Sequence, residues 1–257
     1  MINVPGGDIL DRFVNKIIHG DCLDVMRKIP DKSIDMILCD LPYGTTACKW
    51  DTVIPFKPLW EQYERLIKPN SAMVFTACQP FTSQLITSNI KLFKYCMIWK
   101  KPQGVDPFMA KIRPLNDYED IAVFGIEAIN YSPQLAKGRP YTTVRDKTPR
   151  DYQITSTIMK KTSTINEGGR LPTRVIEFKQ EKGLHPTQKP VSLFEYLIHT
   201  FTKPGDTVLD NCIGSGTTAV AAYNTGRNFI GIEKEKKYVD IARRRVDEAS
   251  QQVRMFV

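Results

Sequence analysis

Short, nearly continuous apolar runs constrain the fold of this chain more than any other feature. The segment IDMILCD, residues 34–40, is apolar at most positions, whereas a strand with one solvated face would alternate. Strand-like runs also occur at 16–19, 71–77, 94–101, 120–125, 205–210 and 227–233. Helical stretches separate most of these runs. Strands buried on both faces and alternating with helices predict an α/β fold with a doubly wound sheet.

The composition excludes several classes of protein. The chain has 257 residues, of which 42% are hydrophobic and 25% charged, as in globular proteins. We find neither an apolar run of about 18 residues nor a signal-peptide pattern, so we expect no membrane span and no secretion. Six cysteines without a CxxC pair and three histidines give little support for a metal site and predict reduced thiols in a cytosol-like compartment.

Positive charge is concentrated in the least regular part of the chain. The net charge is +8, and the window 127–183 contains eleven Lys and Arg against six Asp and Glu. A solvated surface would also explain such a window. Localised positive charge nevertheless favours contact with a polyanion such as nucleic acid.

A glycine-rich turn follows one of the apolar runs. The sequence VLDNCIGSGTT places Asp210 at a strand end, then two glycines, and then a predicted helix from Thr217. Glycines let the backbone approach a ligand closely, and Glu233 ends the next strand, where a carboxylate can bind a ribose diol. The combination predicts an adenosine-containing cofactor across two strand ends, although such a turn alone is also common without a ligand.

A second apolar run ends on an unusual tetrapeptide. In ILCDLPYGTT, residues 37–46, the strand is followed at once by Asp40, leucine, proline and Tyr43. Taken alone, the acid would be a turn former and Tyr43 an aromatic residue at the edge of the core.

DLPY and GSGTT together resemble the catalytic and cofactor motifs of the S-adenosylmethionine-dependent amino-methyltransferases of DNA, which methylate adenine N6 or cytosine N4. The catalytic motif comes first, the basic window second and the cofactor turn last, an order that resembles the beta group. HGDCLDVM and HPTQKP are similar to two further segments of the family. The resemblance implies a Rossmann-like sheet with a catalytic half at 1–126, a target-recognition region at 127–183 and a cofactor half at 184–257.

The resemblance implies S-adenosylmethionine as cofactor and no metal. Asp21 is a candidate contact near the adenine, although it equally suits the N-cap of the following helix. Lys189, in HPTQKP, is the candidate for the methionine carboxylate. The implied cofactor contacts are Asp21, Cys22, Asp40, Lys189, Asp210, Cys212, Gly214, Ser215, Gly216, Thr217, Thr218 and Glu233.

The implied catalytic residues are Asp40, Leu41, Pro42 and Tyr43. An aromatic amine is a poor nucleophile, so two acceptors on its N–H bonds would stabilise the charge that develops during direct displacement. The Asp40 side chain and the Leu41 carbonyl can supply these acceptors, and Pro42 holds Leu41 extended. Tyr43 would stack on a base extruded from the duplex.

Two positions depart from the family pattern. Leu41 replaces a proline, although the backbone carbonyl is retained, and Cys212 replaces an aromatic residue, which removes a packing surface for the cofactor. These departures leave open a relative that binds nucleic acid without turnover. An aspartate at the start of the catalytic motif favours adenine N6, with cytosine N4 as the alternative.

Double-stranded DNA is the implied partner. The basic residues that we expect to contact it are Lys100, Lys101, Lys137, Arg139, Arg145, Lys160, Lys161, Arg170 and Arg174. Such contacts give affinity rather than sequence choice. A homodimer, and an intracellular (cytoplasmic) location in a bacterium, archaeon or phage-infected cell, are further expectations of the resemblance.

Overall fold

The computed structural model describes residues 7–45, 51–105, 107–145, 162–181 and 188–254. Its strands are β1 (Lys16–His19), β2 (Ile34–Asp40), β3 (Ile67–Ala77), β4 (Phe93–Val105), β5 (Asn116–Phe124), β6 (Ala136–Lys137), β7 (Tyr141–Arg145), β8 (Thr162–Asn166), β9 (Gly169–Arg170), β10 (Val175–Glu177), β11 (Thr207–Asp210) and β12 (Asn228–Glu233). Its helices are α1 (Gly7–Leu10), α2 (Cys22–Met26), α3 (Phe56–Leu66), α4 (Phe81–Ser88), α5 (Val191–Phe201), α6 (Thr217–Asn224) and α7 (Lys236–Arg254). Within the described ranges, no helix has both the length and the apolar character that crossing a bilayer requires.

One large sheet organises the first compact unit. Its strand order is β1-β12-β11-β2-β3-β5-β4-β10. Neighbouring strands are parallel except that β5 runs antiparallel to both β3 and β4. The α/β, Rossmann-like sheet expected from the sequence is confirmed, with one reversed strand. Because β5 is antiparallel to both of its neighbours, β4 runs parallel to β3. Strand β4 therefore ends at the same edge of the sheet as β2 and β3.

Strand β2 shows why its sequence is apolar at nearly every position. Ile37 and Cys39 belong to one apolar cluster, whereas Met36 and Leu38 belong to another. All four side chains are fully buried. Helix α3 packs in the first cluster and helices α5 and α6 pack in the second. Both faces of the sheet are therefore covered, and each residue from Met36 to Cys39 buries its side chain.

The carboxyl ends of the central parallel strands collect acidic residues at one edge. Strand β2 ends at Asp40, β11 ends at Asp210, and β12 ends at Glu233. Strand order places these three ends beside one another, since β11 lies between β2 and β12. Ligands of open α/β sheets bind outside this edge.

Residues 133–173 form a second compact unit, distinct from the unit made by 1–132 and 174–257. In it β6 pairs with β9 and β7 pairs with β8, both antiparallel. Gly168 has a φ of 107°, and a Cβ there would lie 2.7 Å from the Gly138 carbonyl oxygen, so the crossing of these chains requires glycine. The unit is narrower than the window 127–183, because β10 pairs with β4 in the large sheet.

Candidate active site

Asp40 is held at the end of β2 by three side chains from different parts of the chain. Tyr43 Oη donates a hydrogen bond to Asp40 Oδ1 at 2.6 Å, and Thr76 Oγ1 donates to the same oxygen at 2.5 Å. Lys189 Nζ donates to Oδ2 at 2.7 Å. The Asp40 side chain keeps 25% of its surface exposed. A carboxylate of fixed orientation therefore faces the open edge of the sheet.

A buried row of alternating charges lies behind Asp40. Lys189 Nζ is 3.3 Å from Glu119 Oε2, and Lys101 Nζ is 2.8 Å from Glu119 Oε1. Lys101 and Lys189 expose only 6% of their side chains. Two cations and two carboxylates thus alternate, and the group is neutral as a whole. Each charge that is removed would leave its neighbours buried without a partner.

Lys189 lies between two carboxylates, an arrangement that the sequence did not predict. Burial alone would lower the pKa of its ammonium group, but the adjacent carboxylates of Asp40 and Glu119 raise the pKa above the usual value. Lys189 is therefore a permanent cation between two anions. In this structure it pairs with the catalytic motif, and its expected contact with a methionine carboxylate stays a prediction.

The turn after Asp40 is stabilised by a side chain that the sequence did not reveal. Asp51 Oδ1 accepts a hydrogen bond from the Gly44 N–H at 2.8 Å, and Oδ2 accepts one from the Thr45 N–H at 2.9 Å. Gly44 has a φ of 69°. Leu41 is buried in the apolar core, so the residue that replaces the family proline has a packing role.

Tyr43 is fixed at both ends. Its ring stacks on Phe81 with the centroids 5.0 Å apart and the planes 26° apart, and Lys189 Nζ lies 5.7 Å from the ring centroid. Burial and the nearby Asp40 raise the pKa of the phenol well above its usual value, so it remains a donor. Pro42 is half-buried beside it. One face of the Tyr43 ring is already covered, and a stacked base would need another side of it.

Asp210 organises the glycine-rich turn from inside. Its Oδ1 accepts a hydrogen bond from the Cys212 N–H at 3.0 Å, and Oδ2 accepts a short one from Thr218 Oγ1. Burial raises the pKa of the Asp210 carboxyl to about 7. The side chain is almost fully buried, so its visible role is to fix the turn.

The two glycines of the turn serve different purposes. Gly216 has a φ of 92°, and a Cβ there would lie 2.9 Å from Ala242 Cα on helix α7. Gly214 has a φ of 52°, and an added Cβ would meet nothing closer than the Cys212 carbonyl oxygen at 4.0 Å. Helix packing therefore explains Gly216, whereas the open side of Gly214 is available to a ligand.

The hydroxyl residues of the turn are occupied internally. Arg245 Nη1, on α7, donates to the Ser215 carbonyl oxygen at 2.8 Å and lies 3.2 Å from Ser215 Oγ. Thr217 Oγ1 donates to the Lys189 carbonyl oxygen at 3.4 Å. These contacts join the turn to α7 and to the segment before α5. Both side chains, like Thr218, shape the turn through the interior of the protein.

Two further acids mark neighbouring strand ends. Glu233 Oε2 accepts a hydrogen bond from the Gly214 N–H at 2.9 Å, and burial raises the pKa of its carboxyl. Asp21 Oδ1 accepts from the Leu23 N–H at 2.9 Å, which makes Asp21 the N-cap of α2. The Gly20 N–H donates to the Glu233 carbonyl oxygen at 3.0 Å, so the two acids lie on adjoining turns.

Thiols form part of the wall behind these acids. A hydrogen bond with Cys212 and burial raise the pKa of Cys22, and burial raises the pKa of Cys39 to about 12. Nearby, Tyr63 Oη donates to Asn211 Oδ1 at 2.6 Å. The described cysteines are free thiols. Cys212, which replaces an aromatic residue, thus packs against other thiols inside this wall.

The edge of the sheet formed by the carboxyl ends of β1, β11 and β12 fits an adenosine-containing cofactor. Gly214 leaves open space, helix α6 begins directly after the turn, and Glu233 and Asp21 bring carboxylates to the neighbouring strand ends. Carboxylates at these positions suit ribose hydroxyls, and an open glycine suits close backbone approach. In the described residues, no group of three or more His, Cys, Asp or Glu side chains could hold a metal ion.

The residues expected to contact DNA are distributed unevenly. The expectation that Lys101 contacts DNA is corrected by the structure. Its side chain is buried in an ion pair with Glu119 and presents no charge to a phosphate. Lys100 is half-exposed and lies 3.9 Å from Glu177, and the Arg174 guanidinium lies 5.2 Å from the Tyr95 ring centroid. All of these residues belong to the first compact unit.

The remaining basic residues lie in the second compact unit or outside the residues that the structure describes. Lys137 and Arg139 are exposed. Arg170 Nη1 donates to Asn166 Oδ1 at 2.7 Å, and its guanidinium lies 4.7 Å from the Tyr141 ring centroid, so Arg170 supports the unit itself. The side chain of Arg145, and Lys160 and Lys161 entirely, lie outside the described residues.

A mostly parallel sheet, a glycine turn between acidic strand ends, and an aspartate-led motif on the next strand define a Rossmann-like α/β protein with a site for a nucleoside cofactor. The sequence matches the DNA methylase family over residues 34–244. The chain belongs to this family of N6/N4 DNA methyltransferases, and the resemblance drawn from its motifs is confirmed.

Two named relatives match along most of the chain. DNA adenine methyltransferase YhdJ of Escherichia coli (strain K12) is 30% identical over 265 residues, covering 93% of this chain and 86% of the relative. Type II methyltransferase M1.MboII of Moraxella bovis is 30% identical over 253 residues, covering 89% and 95%.

Solved structures agree in fold. The M1.HpyAVI–SAM complex has 26% identity and a TM-score of 0.61, covering 90% of this chain and 98% of that one. The cytosine-N4-specific PvuII DNA methyltransferase has a TM-score of 0.65 at 16% identity, covering 91% and 89%, and shows the fold alone. The chain is therefore an enzyme that methylates DNA with S-adenosylmethionine as cofactor.

Proposed function

We propose that this enzyme methylates the exocyclic N6 amine of adenine in double-stranded DNA. The observation that carries the proposal is the Asp40 carboxylate, which Tyr43, Thr76 and Lys189 hold at the open edge of the sheet. An acidic acceptor can take a hydrogen bond from an amine N–H and stabilise the positive charge that develops on nitrogen. The relative in Escherichia coli, which matches along 93% of the chain, bears the name of an adenine methyltransferase.

The residues of the catalytic turn divide the work. Asp40 accepts one N–H of the target amine and the Leu41 carbonyl accepts the other, while Pro42 keeps Leu41 extended. Tyr43 forms one side of the pocket for an extruded base. The cofactor, when bound, supplies a methyl group that its sulfonium already activates. Positioning of the amine is therefore the main task of these residues.

The cofactor residues have separate proposed roles as well. Glu233 and Asp21 bind the nucleoside part of the cofactor at two adjoining strand ends. The open side of Gly214 gives it room, and Asp210 keeps the turn in place through Thr218. Ser215, Gly216 and Thr217 support the same turn through α7 and the segment before α5. A homodimer stays a prediction, and light scattering on the purified protein would check it.

Labelled S-adenosylmethionine and unmethylated duplex DNA test the proposal. After digestion to nucleosides, we expect the label in N6-methyladenine. Label in N4-methylcytosine would replace adenine by cytosine as the target. If the protein binds the cofactor but the DNA carries no label, the chain is a member of the family without turnover. This result would overturn the proposal.

A further inference from the structure

The connection between β4 and β5 exposes large apolar side chains. In this β4–β5 loop, residues 107–115, Phe108 is 94% exposed and Ile112 is 77% exposed. Lys111 is exposed between them. Scattered exposed apolar residues are ordinary, but an aromatic side chain as exposed as Phe108 would gain stability by burial against a partner. An interleaved cation indicates a partner that combines negative charge with apolar surface.

The β4–β5 loop is anchored at its base. Val105 pairs with Asn116 where the two strands meet. The Leu115 side chain lies against Gly104, where an added Cβ would be 2.6 Å from Leu115 Cβ. A short 3-10 helix, Pro107–Met109, carries Phe108. The aromatic ring is therefore presented from a built turn rather than from a long unanchored segment.

Topology places the β4–β5 loop at the catalytic edge of the sheet. Strand β4 ends at the same edge as β2, which carries Asp40. A cavity of about 170 Å³ is lined by Arg113 from the loop, Cys78 from the end of β3, and Glu119. Glu119 contacts Lys189, which in turn binds Asp40. The loop thus borders the side of the sheet where the target base is expected.

We propose that Phe108 enters the base stack of duplex DNA next to the target nucleotide and fills the space that the extruded base leaves. The inference rests on the proposed function and deepens it. A base amine inside a duplex is reached only after unstacking, and DNA-bending proteins insert apolar side chains between base steps and keep those steps unstacked. Lys111 contacts a neighbouring phosphate, which orients the wedge without reading sequence.

The matched experiment compares two duplexes that contain the methylated sequence. In one the target adenine is paired with thymine, and in the other it lies opposite an abasic site, where extrusion costs little. We expect Phe108→Ala to slow methyl transfer to the paired duplex by about tenfold or more, because unstacking is no longer assisted. Transfer to the abasic duplex should stay within about twofold of wild type. Phe108→Leu should retain most activity on both, since leucine is also an apolar wedge.

Ile90→Ala provides the control. Ile90 is 60% exposed but lies in the turn between α4 and β4, where the Gly125 N–H meets the Leu92 carbonyl at the opposite edge of the sheet. It should change neither rate. Equal losses of Phe108→Ala on both duplexes, or no loss on either, would overturn the wedge. Equal losses accompanied by dissociation of a dimer in light scattering would assign Phe108 to an interface between copies. Wild-type protein that labels neither duplex would instead refute the proposed function.

Discussion

Lys189 lies between two carboxylates in the interior, and its charge should matter for stability as well as for catalysis. In Lys189→Met, Asp40 and Glu119 would face each other without the cation that separates them. We expect the free energy of unfolding to fall by about 3–5 kcal/mol, the usual cost of breaking a buried ion pair. Denaturant unfolding of the two proteins measures this loss.

A second substitution tests whether charge balance is the cause. Adding Glu119→Gln to Lys189→Met returns the buried group to neutrality, with Lys101 and Asp40 remaining. The double variant should therefore recover part of the lost stability, with a coupling energy of about 1–3 kcal/mol. Additive losses in the double-mutant cycle would show that Glu119 and Lys189 stabilise the protein independently.

The raised pKa of the Asp210 carboxyl predicts that stability depends on pH. The folded chain retains its proton up to about pH 7, whereas the unfolded chain releases it near 3.8. The folded state therefore binds more protons between these values, and this contribution to stability is lost as the pH rises through that window. Relative to wild type, Asp210→Asn should gain up to about 4 kcal/mol between pH 4 and pH 8.

Unfolding curves without cofactor, recorded at pH 5, 6, 7 and 8, measure this difference. The Thr218 hydrogen bond to position 210 can persist in the Asn variant, which makes the comparison a test of charge rather than of packing. A wild-type-to-variant difference that stays constant with pH would show that Asp210 is ionised throughout.

At the scale of residues, the sequence identified Asp40, Tyr43 and Lys189 as site residues, but it did not predict that Tyr43 and Lys189 hold Asp40, and it missed Thr76. A strand-end acid followed by proline and tyrosine is a local pattern. Thr76 and Lys189 meet Asp40 from 36 and 149 positions away, and the Asp51 side chain reaches the turn by accepting hydrogen bonds from the Gly44 and Thr45 N–H groups. The hydroxyl of Thr76, near the end of the strand next to β2, was a sequence signal from which the contact with Asp40 could have been predicted. Pairing of Lys101 with Glu119 depends on strand direction, which the sequence did not reveal.

At the scale of elements, the glycine turn makes a prediction about helix packing. Gly216→Ala would place a Cβ 2.9 Å from Ala242 on α7, and it would also strain the left-handed backbone. The strain alone costs about 1–2 kcal/mol. The crowding should add about 1–3 kcal/mol, because neither backbone can easily move. Thermal or denaturant unfolding measures the sum.

Gly226→Ala is the matched control. Gly226 has a φ of 71° and nothing within 4 Å of an added Cβ, so this variant carries the strain without the crowding. We expect it to lose clearly less stability than Gly216→Ala. Equal losses would mean that α7 moves aside, and that Gly216 is required only for its backbone conformation.

Most strands and helices of the large sheet were predictable because both faces of the sheet are buried. The continuous apolar sequence of β2 follows directly from its two clusters. Strands β4 and β5 extend past the predicted 94–101 and 120–125, since their outer parts are polar and are stabilised by the pairing of Lys100 with Tyr118. The reversed direction of β5 left no local trace in the sequence.

At the scale of the whole molecule, the basic residues of the window 127–183 predict how strongly DNA binding depends on salt concentration. Lys137 and Arg139 are exposed in the second unit, whereas Arg170 supports that unit through Asn166 and Tyr141. Lys137→Gln with Arg139→Gln should therefore reduce the salt slope of DNA binding by about 2, one for each lost phosphate contact. Titrations of duplex DNA at several salt concentrations give the slope.

Lys28→Gln with Lys91→Gln removes the same charge elsewhere. Both lysines are exposed near the ends of helices that begin at the catalytic edge and lead away from it. The control should keep the wild-type slope. Two equal slopes from the test pair and the control pair would remove the second unit from DNA binding and would leave 127–183 without its expected role.

Base-resolution sequencing of DNA methylated by wild type and by Asp40→Ala, with cofactor binding measured for both, is the most direct test of the proposed mechanism. The variant removes the carboxylate that Lys189 and Tyr43 orient, and with it the side-chain acceptor for the target amine. We predict N6-methyladenine at one recurring sequence with wild type, and none with a variant that still binds S-adenosylmethionine. Methylation on cytosine, or methylation that persists in Asp40→Ala, would contradict this mechanism.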